Sequence, residues 1–546
     1  MEWFVSNRIS GISSADLRSL YEKIELDHHT LSFDPVIKEI TPQYHPQGTQ
    51  LVSRNKNAKV IRAERTRHHR PSAWLNIEMG SGIRVSKMPL NDPFVQMEIQ
   101  KVKAVTDRVG IERVDETRMV RAFTRRFPTY YDFMELSMYD KDMGYYSTGN
   151  VRFTAGAHFL TFPNSSSPGF GRIAVELAFT MWQSMLEAGD IREDETFTIL
   201  ELGAGNGRLA KDMLDAAKKN SESLPEWAKF FSCLEYRIIE YSPALLQQQQ
   251  SLLVGYEDRV KFQPGDAKSV GHLVAPKSIN GLVFTNELPD AFPVHRADVQ
   301  DDGTLLVQTM IPYLTPSQMS ALSSHGIELG RLRAKSDLYK RRFVSLLKNN
   351  IPPENILVAR RDLKKIVMAV NEKKIIIRKV FDFYELWIPD RFFPAVQAYR
   401  IRHQTSISRL ETPAKMNVNI GMKTLISGIA SALHKGFMGT VDYGYRDRVW
   451  AVLPAAREPR FFPKGAVTDI TDIGHADITT DIPWTQFERE AREYFVHQCL
   501  VEQQRLGNPM QEDPREIVRW MTNRQFLMHV QKTRETRASY LPPEGL

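Results

Sequence analysis

Residues 197–207 read Phe-Thr-Ile-Leu-Glu-Leu-Gly-Ala-Gly-Asn-Gly, and this stretch decides the fold. Its first six residues, 197–202, are mostly apolar and match a buried strand. Glycines then alternate with single residues at positions 203, 205 and 207. Because glycine has no Cβ, such a loop can turn sharply and let a ligand come within contact distance of the backbone. The stretch therefore predicts a strand followed by a nucleotide-type cofactor loop.

The spacing of the glycines narrows the choice of cofactor. A dinucleotide fingerprint reads G-x-G-x-x-G, whereas here the third glycine comes one residue earlier and an acid, Glu201, precedes the loop. This arrangement resembles the first motif of class I S-adenosylmethionine methyltransferases. For that ligand we expect Glu201 to receive the ammonium group. Backbone N–H groups near the helix start, beside Gly203, Gly205 and Gly207, would receive the carboxylate. The alternative interpretation is a glycine-rich turn with no ligand.

Further strands follow the loop, and polar residues follow each strand. The predicted elements are a helix through residues 209–217 and strands over 236–239, 260–263 and 281–285. We expect Glu240 to meet the two ribose hydroxyls of an adenosine and Asp266 to face the adenine amine. Ligands of parallel sheets bind outside the carboxyl ends of the strands, which is where these acids fall. A solvated loop acid is the alternative for each residue alone.

Composition excludes several classes of protein. With 546 residues, 42% of them apolar and 25% charged, the chain is typical of a soluble protein of about three to four structural units. It has no run of about 18 uncharged apolar residues, so we expect no transmembrane helix. Only Cys233 and Cys499 occur, which excludes a disulfide scaffold and a four-cysteine zinc site. No metal site is predicted.

The net charge of +7 is unevenly distributed. From Arg331 to Lys379 there are 15 Lys and Arg against four acids, a local balance of +11, so the remaining chain carries −4. A second basic stretch runs from Arg54 to Arg70. Such clusters are compatible with solvated faces or with an anionic partner such as RNA. We retain both interpretations.

The pattern of elements divides the chain into five segments. A crossover between neighbouring parallel strands needs one helix, but the strand at 281–285 and the next convincing core strand, 439–443, lie much further apart. An insertion must fill that gap. The predicted segments are an N-terminal extension with a basic arm (1–126), the first part of the core (127–312), a basic insertion (313–400), the second part of the core (401–508) and a tail (509–546).

Four weaker patterns complete the prediction. Residues 422–433 predict a helix that stops at Lys435-Gly436, and residues 305–311 predict a strand. Within the basic insertion, Ile375 to Ile377 is typical of a strand. In the tail, Ile517 to Val530 has a helical pattern.

Several motifs in order resemble one family. They are Phe133 to Asp140 with Gly144-Tyr145-Tyr146, the loop Glu201 to Gly207, Glu240 to Pro243, Asn286-Glu287-Leu288 with Asp290 to Val294, Asp442 to Tyr445, and Ala476 to Thr479. Together they are similar to the MidA-like methyltransferases, a family that includes a mitochondrial complex I assembly factor described as a protein arginine methyltransferase. The resemblance covers about 127–507, the insertion excepted.

This resemblance implies a class I methyltransferase fold, an α/β Rossmann-like sheet with a large insertion and terminal extensions. It also implies S-adenosylmethionine as cofactor, methylation of a protein arginine linked to assembly of a mitochondrial complex, and a location in the mitochondrial matrix. For the chemistry we expect Glu287 and Asp290 to bind the guanidinium and to bias its charge toward one nitrogen. Asn286 could equally orient the methyl acceptor. A loop cap before a Pro-rich turn is the alternative role of these acids.

The sequence departs from the family pattern at three places. Asn164 and Arg172 each replace an acid, and Ile482-Pro483-Trp484 replaces a motif with a central aspartate. All three changes remove negative charge from the region expected to bind a cation. The alternative function is therefore a catalytically weakened or inactive assembly factor that binds RNA or a ribosomal particle through its basic segments. A nucleic-acid methyltransferase fits the charge but not the motifs.

Overall fold

A computed structural model describes most of the chain from residue 111 onward and short strands before it. The described residues are 2–8, 44–45, 48–51, 60–64, 74–78, 84–89, 111–149, 151, 164, 167–327, 329–347, 351–372, 382–462, 473–506 and 518–522. Contacts divide the chain into two compact units, residues 1–17 with 123–546, and residues 18–122.

The elements are numbered here in chain order. The strands are β1 (Glu2–Arg8), β2 (Tyr44–His45), β3 (Gly48–Leu51), β4 (Val60–Glu64), β5 (Trp74–Glu78), β6 (Arg84–Pro89), β7 (Phe197–Leu202), β8 (Leu234–Glu240), β9 (Val260–Pro264), β10 (Ile279–Asn286), β11 (His295–Val299), β12 (Leu305–Leu314), β13 (Ile356–Leu357), β14 (Asp382–Pro389), β15 (Ala414–Val418), β16 (Leu433–Asp442), β17 (Gly444–Tyr445), β18 (Arg460–Phe462), β19 (Asp477–Thr479), β20 (Ile482–Pro483) and β21 (Val518–Thr522). The helices are α1 (Ile111–Thr124), α2 (Tyr130–Tyr139), α3 (Gly169–Glu187), α4 (Arg208–Ser221), α5 (Pro225–Cys233), α6 (Pro243–Leu252), α7 (Val270–Leu273), α8 (Pro316–Ser324), α9 (Gly330–Arg342), α10 (Val344–Leu347), α11 (Arg360–Glu372), α12 (Pro394–Arg402), α13 (Gln404–Ile407), α14 (Gly421–Ala432), α15 (Asp447–Val452) and α16 (Trp484–Leu506).

A seven-stranded sheet forms the centre of the larger unit. Its strand order is β21-β1-β16-β10-β7-β8-β9, and the pairs from β16 to β9 are all parallel. The predicted strands after the glycine loop are confirmed as β8, β9 and β10, and the predicted helix is α4. A parallel α/β sheet in this order is the class I Rossmann-like fold that the sequence predicts. The first strand, β1, pairs antiparallel with β16.

Helices α3, α4 and α5 cover one face of this sheet with a large aromatic core. Phe179 stacks on Trp227 with ring centroids 4.2 Å apart, and Phe230 packs edge-on against both rings. All six residues of β7 are buried, Glu201 among them. A strand buried on both faces holds the loop that follows it in one place. The position of the glycine loop is thus set by the core.

The insertion between β10 and β16 builds a second sheet. Strands β13, β12, β11 and β15 lie in that order, and β14 also pairs with β12 along eight residues. All pairs in this sheet are antiparallel. Helices α2, α9 and α11 contribute to a second apolar core beside it, through Phe133, Leu332 and Leu363. The strand predicted over 305–311 is confirmed as part of β12, which belongs to this second sheet.

The helix predicted in the tail over 517–530 is wrong where the structure describes it. Residues 518–522 of the tail form β21, which pairs antiparallel with β1, where the sequence predicts a helix. An edge strand with unpaired backbone groups recruits this segment, and a local helical period carries no information about such a partner.

The helix predicted over 422–433 is confirmed as α14, but Lys435-Gly436, predicted as its stop signal, already lies inside β16. Gly436 has φ 132°, and a Cβ there would lie 1.9 Å from the carbonyl oxygen of Gly281. The glycine therefore serves the close approach of two strands rather than a helix stop.

Residues 18–122 contain the antiparallel sheet β2-β3-β4-β5-β6. The predicted strand at Ile375 to Ile377 lies outside the described residues, as does most of the basic stretch Arg54 to Arg70. Among the described helices, none combines the length and apolarity that crossing a bilayer requires.

Candidate functional site

The glycine loop leaves the carboxyl end of β7 at the centre of the parallel sheet. Gly203, Gly205 and Gly207 have φ of 69°, 56° and 82°, a region that residues with a Cβ rarely adopt. A Cβ on Gly203 would lie 2.7 Å from Cδ1 of Leu288. The loop backbone therefore requires glycine for its conformation, and at Gly203 also for space.

Glu201 is the last residue but one of β7 and is buried, with 2% of its surface exposed. The hydroxyl of Tyr236 donates to its Oε2 at 2.7 Å. Burial raises the pKa of Glu201 to about 7, the Tyr236 hydrogen bond opposes that rise, and the charge of Glu240 adds to it. The structure shows no cation that pairs with this carboxyl group among the described residues.

Glu240 ends β8 and lies on the same edge of the sheet. The backbone N–H of Ser242 donates to its Oε1 at 2.9 Å, and Nε2 of Gln249 donates to its Oε2 at 3.0 Å. The same nitrogen of Gln249 donates to the carbonyl oxygen of Gly205 at 2.8 Å. Burial raises the pKa of Glu240 to about 7, against these hydrogen bonds. Gln249 connects the two predicted binding elements, and no motif in the sequence marks it as a site residue.

Asp266 follows β9 and is partly exposed. Its Oδ1 accepts from the backbone N–H of Lys268 at 2.8 Å, and its Oδ2 pairs with the Lys268 ammonium at 3.2 Å. That ammonium also lies 4.9 Å from the ring centroid of Tyr139 and 5.2 Å from that of Phe292. Lys268 is thus held between an acid and two aromatic faces.

These residues line one open cleft, whose space of about 940 Å³ includes the solvent at its mouth. Five of the six predicted cofactor residues line it, namely Glu201, Gly203, Gly205, Glu240 and Asp266. Gly207 lies behind them at the start of α4. Aromatic side chains form part of the wall: Tyr139, Tyr146, Tyr241 and Phe292.

The predicted catalytic residues divide between the cleft and the interior behind it. Asn286 and Glu287 line the cleft, whereas Asp290 is buried with 4% of its surface exposed and does not line it. Asn286 Oδ1 is buried and has no hydrogen-bond partner in the described structure. Glu287 has φ 47°, a strained conformation for a residue with a Cβ, and its N–H donates to the Val441 carbonyl at 2.8 Å.

Four carboxyl groups, Glu287, Asp290, Asp442 and Asp477, influence one another here, and we call them the acid cluster. The backbone N–H of Asp290 donates to Oδ2 of Asp442 at 3.1 Å, while Oδ1 of Asp290 has no hydrogen-bond partner among described residues. The hydroxyl of Tyr146, a cleft residue, donates to Oδ1 of Asp477 at 3.0 Å. The cluster therefore reaches the cleft through Glu287 and through Tyr146.

Burial and mutual repulsion disfavour the ionised forms of the carboxyl groups in the acid cluster. Burial, and then the charges of Asp442 and Glu287, raise the pKa of Asp290 well above its usual value. Burial raises the pKa of Asp442 in the same way and that of Asp477 to about 7. The charge of Arg460 opposes the shifts of Asp290 and Asp477, and its Nη2 is paired with Asp481 at 2.9 Å. The cluster can therefore accept a positive charge.

Asp442 and Asp477 were not predicted as site residues. Their only signal in the sequence is that they fall in motifs of the family resemblance. Glu287 and Asp477 are far apart in sequence, so no local pattern can bring them together.

Of the three departures from the family pattern, one affects the cleft. Asn164 lines it, and its Oδ1 accepts from Nδ2 of Asn206 at 2.9 Å. Arg172 is exposed on α3 and Pro483 is buried in β20, and neither lines the cleft. One of the three changes that remove negative charge thus lies in the cleft, and the acid cluster remains beside it. Within the described residues, no group of three or more His, Cys, Asp or Glu is arranged to bind a metal ion.

Comparison with known proteins agrees with this geometry. A family model described as "Putative S-adenosyl-L-methionine-dependent methyltransferase" matches residues 173–500, which is more than half of the chain. None of the curated proteins compared matches it.

Two similar solved structures come from Burkholderia thailandensis. One is a candidate methyl transferase bound to S-adenosyl-homocysteine, with 17% identity, a TM-score of 0.43, and coverage of 70% of this chain and 76% of that chain. The other is an uncharacterised protein of the same superfamily, with 16% identity, a TM-score of 0.41, and coverage of 70% and 75%.

Proposed function

Given that the chain belongs to this S-adenosyl-L-methionine-dependent methyltransferase family, we propose that it methylates the side chain of a protein arginine. The observation that supports the choice of acceptor is the acid cluster beside the cofactor cleft, in which burial and mutual repulsion raise the pKa of Asp290 and the charge of Arg460 opposes that rise. The family match supports the cofactor, and the acid cluster supports a cationic acceptor.

The residues of the cleft fit S-adenosylmethionine. When bound, this cofactor supplies a methyl carbon on a positively charged sulfur. Glu240 would hold the ribose hydroxyls, Asp266 would face the adenine amine, and Glu201 would receive the ammonium group. Glu201 and Glu240 both have pKa values raised to about 7 by burial, so a nearby positive charge would stabilise their ionised forms. The glycine loop leaves space for the ligand where any side chain would occupy it.

A guanidinium is the cation that best suits the acid cluster. It is planar, and it donates in a fork that carboxylates accept in a bidentate manner. Glu287 lies in the cleft, and Asp290 and Asp442 lie behind it without a guanidinium partner of their own among the described residues. Contact with Glu287 would hold the positive charge on one side of the acceptor and leave the opposite nitrogen directed to the methyl group.

The transfer itself requires alignment more than acid catalysis. A nitrogen–carbon bond forms as the carbon–sulfur bond breaks, and the electron pair of that bond stays on sulfur. The methylated nitrogen then loses a proton. Glu287, the member of the acid cluster that lines the cleft, would accept this proton.

Labelled methyl transfer tests the proposal. We would incubate the purified full-length chain with methyl-labelled S-adenosylmethionine and a protein extract from cells that lack this protein, and identify the labelled amino acid after hydrolysis. Methylarginine is expected with the natural chain. Label on lysine or on nucleic acid would contradict arginine as the acceptor.

Glu287→Gln provides the control. It should bind S-adenosylmethionine like the natural chain in titration calorimetry but give no methylarginine. If the natural chain binds the cofactor and labels nothing, the alternative of a catalytically weakened assembly factor is favoured instead. The mitochondrial location and the assembly partner stay predictions, and import of the tagged chain into isolated mitochondria would test the first.

A further inference from the structure

Six cations of the insertion form an exposed surface that the methyltransferase site does not use. We call this surface the outer basic face. Its members are Arg331, Arg333, Arg341 and Arg342 on α9, and Arg361 and Lys365 on α11. All six are exposed, and none has an ion-pair or hydrogen-bond partner among the described residues, although Arg342 lies over the ring of Phe343.

Other cations of the same segment are paired, and this contrast separates the outer basic face from them. Arg360 pairs with Asp132 at 2.6 Å, and Lys364 pairs with Asp140 at 2.7 Å and with Asp142 at 2.8 Å. These ion pairs attach α11 to α2 and to the turn that follows it. The positive charge of the insertion is therefore paired where it adjoins the core, whereas on the outside the six cations form no ion pair with a described residue and Asp337 and Glu354 are exposed acids nearby.

The free cations of α9 occupy two adjoining parts of its exposed surface: Arg331 and Arg342 lie on the face of Lys335, whereas Arg333 and Arg341 lie further round the helix, each four residues from Asp337. Nζ of Lys335 on α9 lies 3.1 Å from both carboxylate oxygens of Asp362 on α11, which fixes the helices side by side. Arg331 and Arg342 lie four residues before and seven residues after Lys335, on the same face of α9. Arg361 and Lys365 lie one turn apart on the exposed face of α11, next to Asp362. The cations thus flank the Lys335–Asp362 pair from both sides.

From this arrangement we propose that the outer basic face binds the phosphodiester backbone of a structured nucleic acid, RNA being the one expected from the sequence. Five of the six cations are arginines, whose guanidinium groups donate to phosphate in a bidentate manner. This proposal is independent of the chemistry at the cleft.

The neighbouring side chains favour backbone contact over the other modes of binding. The aromatic residues of this region, Tyr339 and Phe343, are buried, so they offer no platform on which unpaired bases could stack. Leu338 and Val344 are the exposed large apolar residues of α9 and α10, too few for insertion into a lipid surface. Recognition should therefore depend on charge and shape, with little dependence on sequence.

Binding of labelled duplexes to the full-length chain tests the proposal. The probes are an RNA duplex and a DNA duplex of about 20 base pairs and vesicles of mixed neutral and anionic phospholipid, each measured by fluorescence anisotropy or co-sedimentation over a range of salt concentrations. We expect duplex binding that weakens steeply with salt, since counterions are released on phosphate contact. Tighter binding of the RNA duplex would identify RNA as the ligand. Equal binding of both duplexes would show that the surface recognises the phosphodiester backbone that they share.

A quadruple variant and a control that loses the same number of charges distinguish binding by the outer basic face from a general effect of net charge. Arg331→Gln, Arg342→Gln, Arg361→Gln and Lys365→Gln together should weaken duplex binding by at least about tenfold and reduce the slope of log affinity against log salt by on the order of three to four. The control changes four exposed lysines outside the insertion to Gln: Lys218, Lys219, Lys229 and Lys261. It removes the same charge and should bind nearly as the natural chain does.

Three results would overturn the proposal. They are binding only to the vesicles, duplex binding that does not respond to salt, and an equal loss in the quadruple variant and its control. Cofactor binding by the quadruple variant, measured by calorimetry, should equal that of the natural chain and so reports that the fold is intact.

Discussion

Gln249 donates to Glu240 and to the carbonyl oxygen of Gly205 from the same side-chain nitrogen, at 3.0 and 2.8 Å. One amide on α6 thereby ties the predicted ribose-binding acid to the glycine loop. Gln249 is fully buried within a run of four glutamines whose neighbours, Gln248 and Gln250, are exposed. The position of Glu240 depends on a residue that has no role in any recognised motif.

Loss of this amide should weaken cofactor binding. In Gln249→Leu, a carboxylate oxygen and a carbonyl oxygen each lose a donor, and each such loss costs about 1 kcal/mol or more. We expect affinity for S-adenosylmethionine to fall about tenfold in titration calorimetry. Gln250→Leu, an exposed neighbour in the same helix, is the matched control. Equal affinities of the two variants would show that Gln249 does not position Glu240.

Stability should depend on pH through Glu201. Its pKa is about 7 in the folded chain against 4.5 for an unperturbed glutamate, so the folded state binds the proton more tightly than the unfolded state. The stabilisation by this proton is complete below about pH 4.5 and is lost as the pH rises through about 7. Glu201→Gln has no ionisable group at this position, so its stability should not fall in this way as the pH rises. At pH 8 its free energy of unfolding, measured by urea denaturation, should exceed that of the natural chain by about 1–3 kcal/mol. The difference should shrink toward pH 5.

A difference that stays constant from pH 5 to pH 8 would contradict this assignment. Tyr236→Phe is the control, because it removes the hydrogen bond to Glu201 while keeping the carboxyl group. It should raise the pKa of Glu201 further and so shift the pH dependence to higher pH.

The sequence predicts those parts of the site that are built from neighbouring residues. The loop 203–207 and the acids at the ends of β7 and β8 belong to local patterns of strand, turn and helix, and all are found where expected. Their chemistry and their geometry are encoded within a few residues of one another. For the same reason, the central parallel sheet could be predicted before its strand order was known.

The parts that the sequence does not predict are assembled over long distances. Tyr146 and Asp477, joined by one hydrogen bond, are 331 residues apart, and Asp290 and Asp442 are 152 apart. Nothing in a local pattern states that two such segments meet. The strand β21 is a further example, since its partner β1 lies at the other end of the chain. Periodicity describes one face of a segment and carries no information about what pairs with its backbone.

Cofactor affinity should rise with pH. Glu201 and Glu240 are both half-protonated near pH 7 because burial raises their pKa values, and only the ionised forms attract a cationic ligand. Binding of S-adenosylmethionine should therefore release protons, and its affinity should increase between about pH 6 and pH 8. Calorimetry in two buffers of different ionisation enthalpy measures this release. Glu201→Gln should release fewer protons, and an unchanged release would exclude Glu201 from the site.

Strain at Glu287 permits a test that separates catalysis from folding. Its φ of 47° costs a residue with a Cβ about 1 kcal/mol or more, so Glu287→Gly relieves strain while it removes the carboxylate. Glycine also adds freedom to the unfolded chain, so the net change in the free energy of unfolding should be within about 1 kcal/mol. We expect this variant to keep cofactor affinity and to lose methyl transfer by at least about a hundredfold. Glu287→Asn keeps a side chain that tolerates this conformation and should be equally inactive. Transfer that survives in either variant would show that the strained backbone serves the loop and that Glu287 does not bind the acceptor.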